Sequence, residues 1–379
     1  MKAISKLRLV FLTLGLLFAL VSAAIGQDAA AKIKNQIDHL QQALESKPVS
    51  NSEWKDAKPD ITDSLKQANQ ALRAGRLYLS LEELADAWSS FGATESETQK
   101  SQEELLKGGL PGVDSELQKM RLEVSAIEKR IGLQNWDTVP VAVRAMAERA
   151  QGRSGPLLEG GRGFAHLPDT EKRAVSDNYT SALFYAGKGR AQAEFNDFCH
   201  SLNLPLKTAP LPLPLPLHSV SNELRQLQDR VAAAYQPPRS VKHNSDFIHL
   251  NSTLKLASEL DAAKMYAGAL YQYLDAMQEF TALDVAAPTV AKRLRLRKSL
   301  HEIRTQLDSS RQDESLAQLY LERVEAGLMN SPSADDWVTA EIIVEQVLPA
   351  YFVATKAVPP SDHLAPAEIT ITLVRWPFT

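Results

Sequence analysis

The chain has 379 residues, of which 44% are hydrophobic, and its 42 Lys and Arg residues against 46 Asp and Glu residues give a net charge of −4. A mildly acidic chain is a poor candidate for general nucleic-acid binding, which depends on basic surfaces that neutralise phosphates, so we expect no nucleic-acid partner. The one cysteine, Cys199, has no second cysteine to pair with, so we expect it to be a small buried hydrophobe in a core stabilised by packing alone.

Residues 1–26 have the order of a signal peptide. Three basic residues precede an apolar stretch, 9–21, which is too short to cross a bilayer because a membrane-spanning helix needs about 20 residues. Small residues follow, and cleavage is expected after Gly26, with Ala23 as the alternative. We therefore expect a secreted or periplasmic protein that begins at Gln27 and has no transmembrane segment once the signal peptide is removed.

Apolar residues recur with helical periodicity from residue 28 to about residue 354, and this pattern predicts an all-α protein. Capping residues mark several helix starts, among them Ser333 followed three residues later by Asp336. We expect helices to begin near residues 28, 60, 76, 95, 114, 139, 176, 219, 246, 288 and 312, with others after 262 and 333.

The segment 204–217 contains five prolines that alternate with leucines. Proline at every second position excludes a helix and predicts an extended connector. We expect it to pack along the protein's own surface rather than to bind a proline-reading domain. It would separate an N-terminal helical half, 27–203, from a C-terminal half, 218–356, which a proline-rich tail, 357–379, follows.

Three segments place large apolar residues at steps of four, three and four positions, which lie on one helix face. Each follows a junction of small and basic residues at 74–76, 187–190 or 262–264, where glycine suits the end of a helix. The three apolar faces are Leu77, Leu81, Leu84 and Trp88; Ala191, Phe195, Phe198 and Leu202; and Tyr266, Leu270, Tyr273 and Met277.

The segments 75–87 and 264–276 resemble the helical hairpins of tetratricopeptide-repeat proteins. This resemblance implies stacked antiparallel helix pairs and a protein-binding role. The first and third hairpins each follow one further helix, so we expect two similar halves that arose by duplication; chance similarity between amphipathic helices is the alternative.

The sequence contains none of the common motifs for zinc ligation, nucleophilic catalysis or phosphate binding. We therefore expect no catalytic residue, metal or cofactor, and the balance favours a protein that is not an enzyme. The segment 151–166 contains five glycines, with Arg153 and Arg162 on either side of Glu159, and is predicted to be an interhelical loop. Its two guanidinium groups could bind an anion or a sugar carboxylate, whereas the plainer alternative is that they contact solvent or Glu159.

Two further surface features have alternative interpretations. The basic run 292–298 is predicted to be a solvated helix face paired with the acidic residues of 313–325, and an acidic-partner site is the alternative. Tyr266 and Tyr273 share the apolar face of their helix, whereas Tyr271 lies off it and is predicted to be an exposed contact residue.

The tail 368–379 has the alternating pattern and β-branched content of a strand. Because this helical chain offers it no convincing partner strand, we expect the strand to pair with a loop of the same chain, with a sheet edge of another protein or with a second copy. Ile371 and Leu373 lie in this strand, and Trp376 and Phe378 would be the anchors.

These features favour a non-enzymatic extracytoplasmic helical-repeat protein that binds another protein or an envelope component, or that self-associates. The alternative is a helical ligand-binding protein or enzyme with a site between the two halves that uses the segment 151–166. A purely structural module of a larger assembly is the third interpretation.

Overall fold

A computed structural model describes residues 28–355 with short gaps at 49, 133–135, 137, 169–171, 205, 207, 216–219, 237–240, 284, 286 and 330. The prediction of an all-α protein is confirmed, since the described residues form helices and one isolated β-bridge. The predicted signal peptide 1–26 lies outside the described residues. So does the predicted strand 368–379, with Ile371, Leu373, Trp376 and Phe378.

The helices follow one another through short connections. They are α1 (28–45), α2 (Ser52–Arg73), α3 (Leu77–Glu97), α4 (Gln102–Ile131), α5 (Val141–Ala165), α6 (Lys172–Ser201), α7 (Val220–Ala234), α8 (Asn244–Ala262), α9 (Tyr266–Ala282), α10 (Val290–Ser309), α11 (Ser315–Gly327), α12 (Ala334–Ile342) and α13 (Leu348–Thr355). A short 3₁₀ turn, Val241–His243, precedes α8, and a π-helical turn, Ile343–Val347, joins α12 to α13.

Three predicted helix starts are wrong. The start expected near residue 60 lies earlier, because the Asn51 side chain accepts a hydrogen bond from the Trp54 amide at 2.9 Å and caps α2 there. The starts expected near 95 and 114 are replaced by one helix, α4, which Ser101 and Glu104 begin with a capping box. This helix is interrupted at Gly109, whose φ of +57° interrupts the helical backbone.

The first and third predicted hairpins are present. Helix α2 packs against α3, and α8 packs against α9. In both turns the residue after the helix end is left-handed, Gly75 with a φ of +75° and Lys264 with a φ of +63°. The amide that follows each of them bonds back to a carbonyl five residues earlier, at 2.9 Å for Arg76 and 2.8 Å for Met265.

The middle junction, predicted at 187–190, is wrong because these residues lie inside α6. The two glycines there do not end a helix. Instead, they allow close helix packing, since a Cβ added at Gly189 would lie 2.8 Å from the Ser154 carbonyl oxygen on α5 and one at Gly187 would lie 2.6 Å from the Gly92 carbonyl oxygen on α3. The glycines at this position therefore predict a turn, whereas in the fold they lie at close contacts of α6 with α3 and α5.

The expected division into two similar halves is not supported. The largest cluster of buried apolar residues includes side chains from α1 to α13, so helices on both sides of the proline-rich segment share one core. That segment is non-helical where it is described and contributes buried Leu204, Leu211 and Leu215 to the same core. It also forms the β-bridge, in which the Ala209 amide donates to the Arg311 carbonyl at 2.9 Å.

The helix from Ala334 to Thr355 has a mean hydropathy of 1.3 over its most apolar window and is long enough to cross a membrane by length and composition. Half of that window is buried within the fold, however, and Ile343, Val347 and Tyr351 belong to the main core.

Three of the helices whose N-cap residue supplies no side-chain cap, α3, α5 and α9, are capped instead by a buried carboxylate from another part of the fold. Glu322 of α11 accepts from the Leu79 amide of α3 at 2.9 Å, and Glu148 of α5 accepts from the Gly268 amide of α9 at 2.8 Å. Asp313 accepts from the Val141 amide of α5 at 2.6 Å. The backbone amides of a helix's first turn have no partner within the helix, and the helix dipole makes that end positive. Because each carboxylate accepts from such an amide, these contacts hold the helices in their relative positions.

Close packing of α5 on α6 can be tested with adjacent glycines. A Cβ added at Gly161 would lie 2.6 Å from the Ala182 carbonyl oxygen, whereas one at Gly160 would meet nothing within 4 Å. Gly161→Ala is therefore expected to lower the free energy of unfolding by about 1 to 3 kcal/mol through overpacking, although alanine favours helix. The matched control Gly160→Ala should raise it by about 0.5 to 1 kcal/mol. Equal effects in urea unfolding would contradict the close approach of the two helices.

Candidate functional site

A cluster of charged side chains lies between α3, α9 and α11. Arg323 donates from Nε to Glu82 at 2.8 Å and from a second guanidinium nitrogen to the same carboxylate, and its Nη1 donates to Asp275 at 3.0 Å. The Tyr271 hydroxyl also donates to Glu82, and the Tyr320 hydroxyl donates to Asp275 at 2.9 Å. One guanidinium therefore joins two carboxylates from different helices, and two tyrosines complete their hydrogen bonding.

The electrostatics of this cluster follow from its burial. Burial alone would raise the pKa of Glu82, but Arg323 holds that pKa below its usual range, so the carboxylate is ionised. Burial raises the pKa of both Tyr271 and Tyr320, so both hydroxyls stay neutral and donate. With its charges paired and its hydroxyls engaged, this cluster is a structural connection rather than a reactive centre.

A recess opens beside this cluster, between α3, α5 and α6. Its walls include Glu82 and Asp86 from α3, Arg149 and Arg153 from α5, and Gln192 and Phe195 from α6. Its cavity volume is about 10 Å³, which is about the space that one water molecule needs. The recess is therefore too small to enclose an organic substrate.

Several polar groups around the recess have no hydrogen-bond partner among the described residues. The buried Nε of Arg149 is unpaired, although its Nη1 donates to the Tyr271 hydroxyl at 3.1 Å. The side chains of Arg153 and Asp86, and that of Gln192, which is only 8% exposed, also make no hydrogen bond or ion pair in the described part of the chain. Buried polar groups normally find partners, so the unpaired Nε of Arg149 is unusual, whereas Asp86 is exposed and Arg153 is half-buried, so both also face solvent.

A second surface feature lies on α10. Leu296 is the only residue of this helix that is fully buried, whereas Val290 is 73% exposed and Leu294, one turn later, is 65% exposed. The guanidinium groups of Arg293 and Arg297 lie over the Trp337 ring, 5.2 and 5.4 Å from its centroid. The outer side of α10 thus presents apolar and cationic groups together.

The basic run on α10 is not paired as the sequence predicted. Lys292 forms ion pairs with Glu341 of α12 and Glu345 of the π turn rather than with residues of 313–325. Only Arg304, beyond the run, contacts that acidic segment, through Glu325. The reason is geometric: α12 and the π turn, not α11, lie beside the first half of α10.

The predicted loop 151–166 is wrong, because these residues form the second half of α5 up to Ala165. Arg153 and Arg162 are nine positions apart, which places them on opposite sides of a helix. Arg153 is half-buried at the recess, whereas Arg162 is exposed. Glu159 lies 3.4 Å from Arg121 of α4 instead of pairing with either of them. The two arginines therefore do not converge.

The prediction that Tyr271 is exposed is also wrong, since its side chain is 0% exposed. Helix α9 is packed by neighbours on nearly all sides, so a position off its apolar face is still in the core. The sequence also missed Glu82, Arg323 and Asp275. A charged residue set among leucines, as Glu82 is beside Leu81, was the signal that could have indicated a buried ion pair.

The prediction for Cys199 is confirmed, because the thiol is 1% exposed and burial raises its pKa. The ring of the neighbouring His200 packs against the Trp136 ring at a tilt of 45°, with centroids 3.6 Å apart. Burial lowers the pKa of His200 to about 4, so its imidazole is neutral at ordinary pH. Neither side chain is placed for nucleophilic or acid–base chemistry.

Within the described residues, no group of three or more His, Cys, Asp or Glu side chains is arranged to hold a metal ion. No protein family model, curated protein or solved structure matches the chain. The function therefore has to be argued from the chain's own surfaces.

Proposed function

We propose that this is a non-enzymatic, extracytoplasmic binding protein that docks an acidic segment of another protein on the outer face of α10. The observation that carries the proposal is the pairing of exposed apolar side chains with unneutralised cations on one helix. Single exposed apolar residues are ordinary. Val290 and Leu294 lie one turn apart, however, and form a continuous apolar strip.

Charge on this face favours an acidic partner. No Asp or Glu occurs from residue 290 to residue 301. Arg295 makes no ion pair with a described residue, and among the described residues Lys298 pairs with Glu302 alone, at 3.7 Å, with both side chains well exposed. Exposed pairs of this kind contribute little, so their cations remain free to meet a partner's carboxylates.

The Trp337 ring holds two cations of α10, Arg293 and Arg297, in place. A guanidinium over an indole ring is attracted to it without losing its charge or its hydrogen-bond donors. Arg293 and Arg297 are therefore ordered by Trp337 yet remain able to form hydrogen bonds with carboxylates. This ordering lowers the entropy that binding would cost.

Three further elements belong to the same proposal and rest on the sequence. The chain is exported through the signal peptide 1–26, which places the binding face outside the cytoplasm. The tail 357–379 supplies a second contact, or self-association, through Ile371, Leu373, Trp376 and Phe378. The similar turns of the α2–α3 and α8–α9 hairpins are relics of duplication.

Photo-crosslinking tests the docking face directly. A photoreactive phenylalanine analogue at Leu294 is expected to capture one partner in the native host, through an acidic segment of that partner. The same analogue at Leu122, 61% exposed on α4, is the matched control and should capture nothing specific. Reversing the charge of Arg295 and Lys298 to Glu should reduce the Leu294 adduct by about tenfold or more.

The charge-reversal control is Arg173→Glu, at a side chain that is 93% exposed on α6; it should leave the adduct unchanged. The proposal is wrong if adducts at Leu294 and Leu122 are the same, if the captured segment is not acidic, or if Arg173→Glu reduces capture as much as the changes on α10.

A further inference from the structure

We propose that the recess between α3, α5 and α6 is a binding site for one carboxylate group, either of a small organic acid or at the end of a larger molecule. This site is distinct from α10 and does not depend on the function proposed above.

The positive charge around the recess is compensated at Arg149, whose pKa is raised against burial by Tyr271 and by the carboxylates of Asp275, Asp86 and Glu82, but it is not compensated at Arg153. Arg149 and Arg153 lie one turn apart on α5, where like charges repel, and Lys188 on α6 is close enough to repel Arg153. Glu82 does not offset them fully, since Arg323 and Tyr271 already occupy its oxygens. Among the recess carboxylates, that leaves Asp86 facing three cations.

Two observations at Arg153 point to an anion site there. Burial, and then the like charge of Arg149, lower its pKa to about 10. Its guanidinium nevertheless forms no hydrogen bond or ion pair with any described residue, and neither does the Lys188 ammonium. Cations held together without hydrogen-bond partners gain nothing for the fold, whereas an anion placed between them would satisfy both.

The remaining groups define the class of anion. The unpaired Nε of Arg149 and the Gln192 amide add donors for a planar acceptor with two oxygens, which a carboxylate supplies. The volume of about 10 Å³, the space of one water molecule, admits one carboxylate oxygen, so the rest of the ligand lies at the open side, which the exposed Asp86 marks. The charge of Asp86 repels any anion, but it repels a dianion about twice as strongly as a monoanion, which favours a carboxylate over hydrogen phosphate.

Arg149 donates a hydrogen bond to the Tyr271 hydroxyl, so replacing it would also disturb the neighbouring charged cluster. Arg153 is therefore the residue to replace. Arg153→Gln keeps a hydrogen-bonding side chain, removes one like charge and breaks no contact, so the variant should fold with an unchanged or higher melting temperature. If Arg153 had a merely structural role, its replacement would instead lower the stability of the protein. The matched control is Arg162→Gln, on the exposed side of the same helix.

The experiment uses the full chain and replaces sodium chloride by sodium acetate stepwise at constant ionic strength. The melting temperature of the wild-type protein is expected to rise and saturate with acetate, because a ligand that binds only the folded state stabilises it. Arg162→Gln should behave like the wild type, whereas Arg153→Gln should bind acetate about tenfold more weakly or not at all. Line broadening of ¹³C-labelled acetate measures the same binding directly.

Three results would overturn the proposal. The first is the absence of any saturable acetate effect beyond that of chloride. The second is equal acetate binding by Arg153→Gln and Arg162→Gln. The third is tighter binding of phosphate than of acetate, which would show that charge rather than carboxylate shape is recognised. Because none of these measurements involves α10, they leave the docking proposal to be judged by crosslinking alone.

Discussion

Replacing Arg323 by alanine is expected to lower the free energy of unfolding by about 3 to 5 kcal/mol, the largest single-residue effect that the structure suggests. The guanidinium is the shared partner of Glu82 and Asp275, and its removal would leave two buried carboxylates without a counter-charge. It would also break the connection between α11 and both α3 and α9, so three helices lose a common contact.

Urea unfolding followed by circular dichroism measures this effect. Arg304→Ala is the matched control, because Arg304 also pairs with a glutamate, Glu325, but has a side chain that is 54% exposed. Its replacement should cost about 1 kcal/mol or less. If the two variants lose the same stability, the buried cluster does not hold the helices together in the way described.

The sequence predicted best those features that depend on neighbours along the chain. Ser333 and Asp336 form the capping box that their spacing indicates, and Cys199 is buried as its apolar surroundings suggest. The turn after α2 also follows from sequence, since Gly75 is the residue type that a left-handed helix end favours. In each of these cases a few adjacent residues decide the structure.

Features that depend on packing between distant helices were predicted poorly. Five glycines in 151–166 indicate a loop when read locally, yet Gly161 lies where a side chain would collide with the Ala182 backbone of α6. The sequence pairs Arg153 with Arg162 as possible anion ligands on one loop, whereas the neighbours of Arg153 at the recess come from α3 and α6 and not from Arg162. Helical periodicity assigns Tyr271 to the surface because it assumes that a helix buries one face. Helix α9 is instead packed by other helices on nearly all sides, so Tyr271 is buried.

The carboxylates that cap helices from a distance make stability depend on pH. Glu322 is 3% exposed, and burial raises its pKa to about 7 although the Leu79 amide opposes the shift. Its pKa in the unfolded chain is near the usual 4.5. The folded protein binds the Glu322 proton more tightly than the unfolded chain does. Protonation of Glu322 therefore stabilises the fold fully below pH 4.5, and this stabilisation is lost as the pH rises through 7.

Glu322→Gln is therefore expected to reduce the fall in stability between pH 5 and pH 8 by about 2.5 kcal/mol, while Glu83 and Glu97, whose pKa burial also raises to about 7, keep their own contributions. Glutamine keeps an oxygen that can accept from the Leu79 amide, so the cap on α3 survives while the titrating proton is lost. Guanidinium unfolding at several pH values measures this difference. Glu302→Gln, whose side chain is 62% exposed on α10, is the control and should keep the wild-type pH profile. If Glu322→Gln loses as much stability as the wild type over the same range, the Glu322 carboxyl is not protonated in the folded protein and its burial does not govern the pH response.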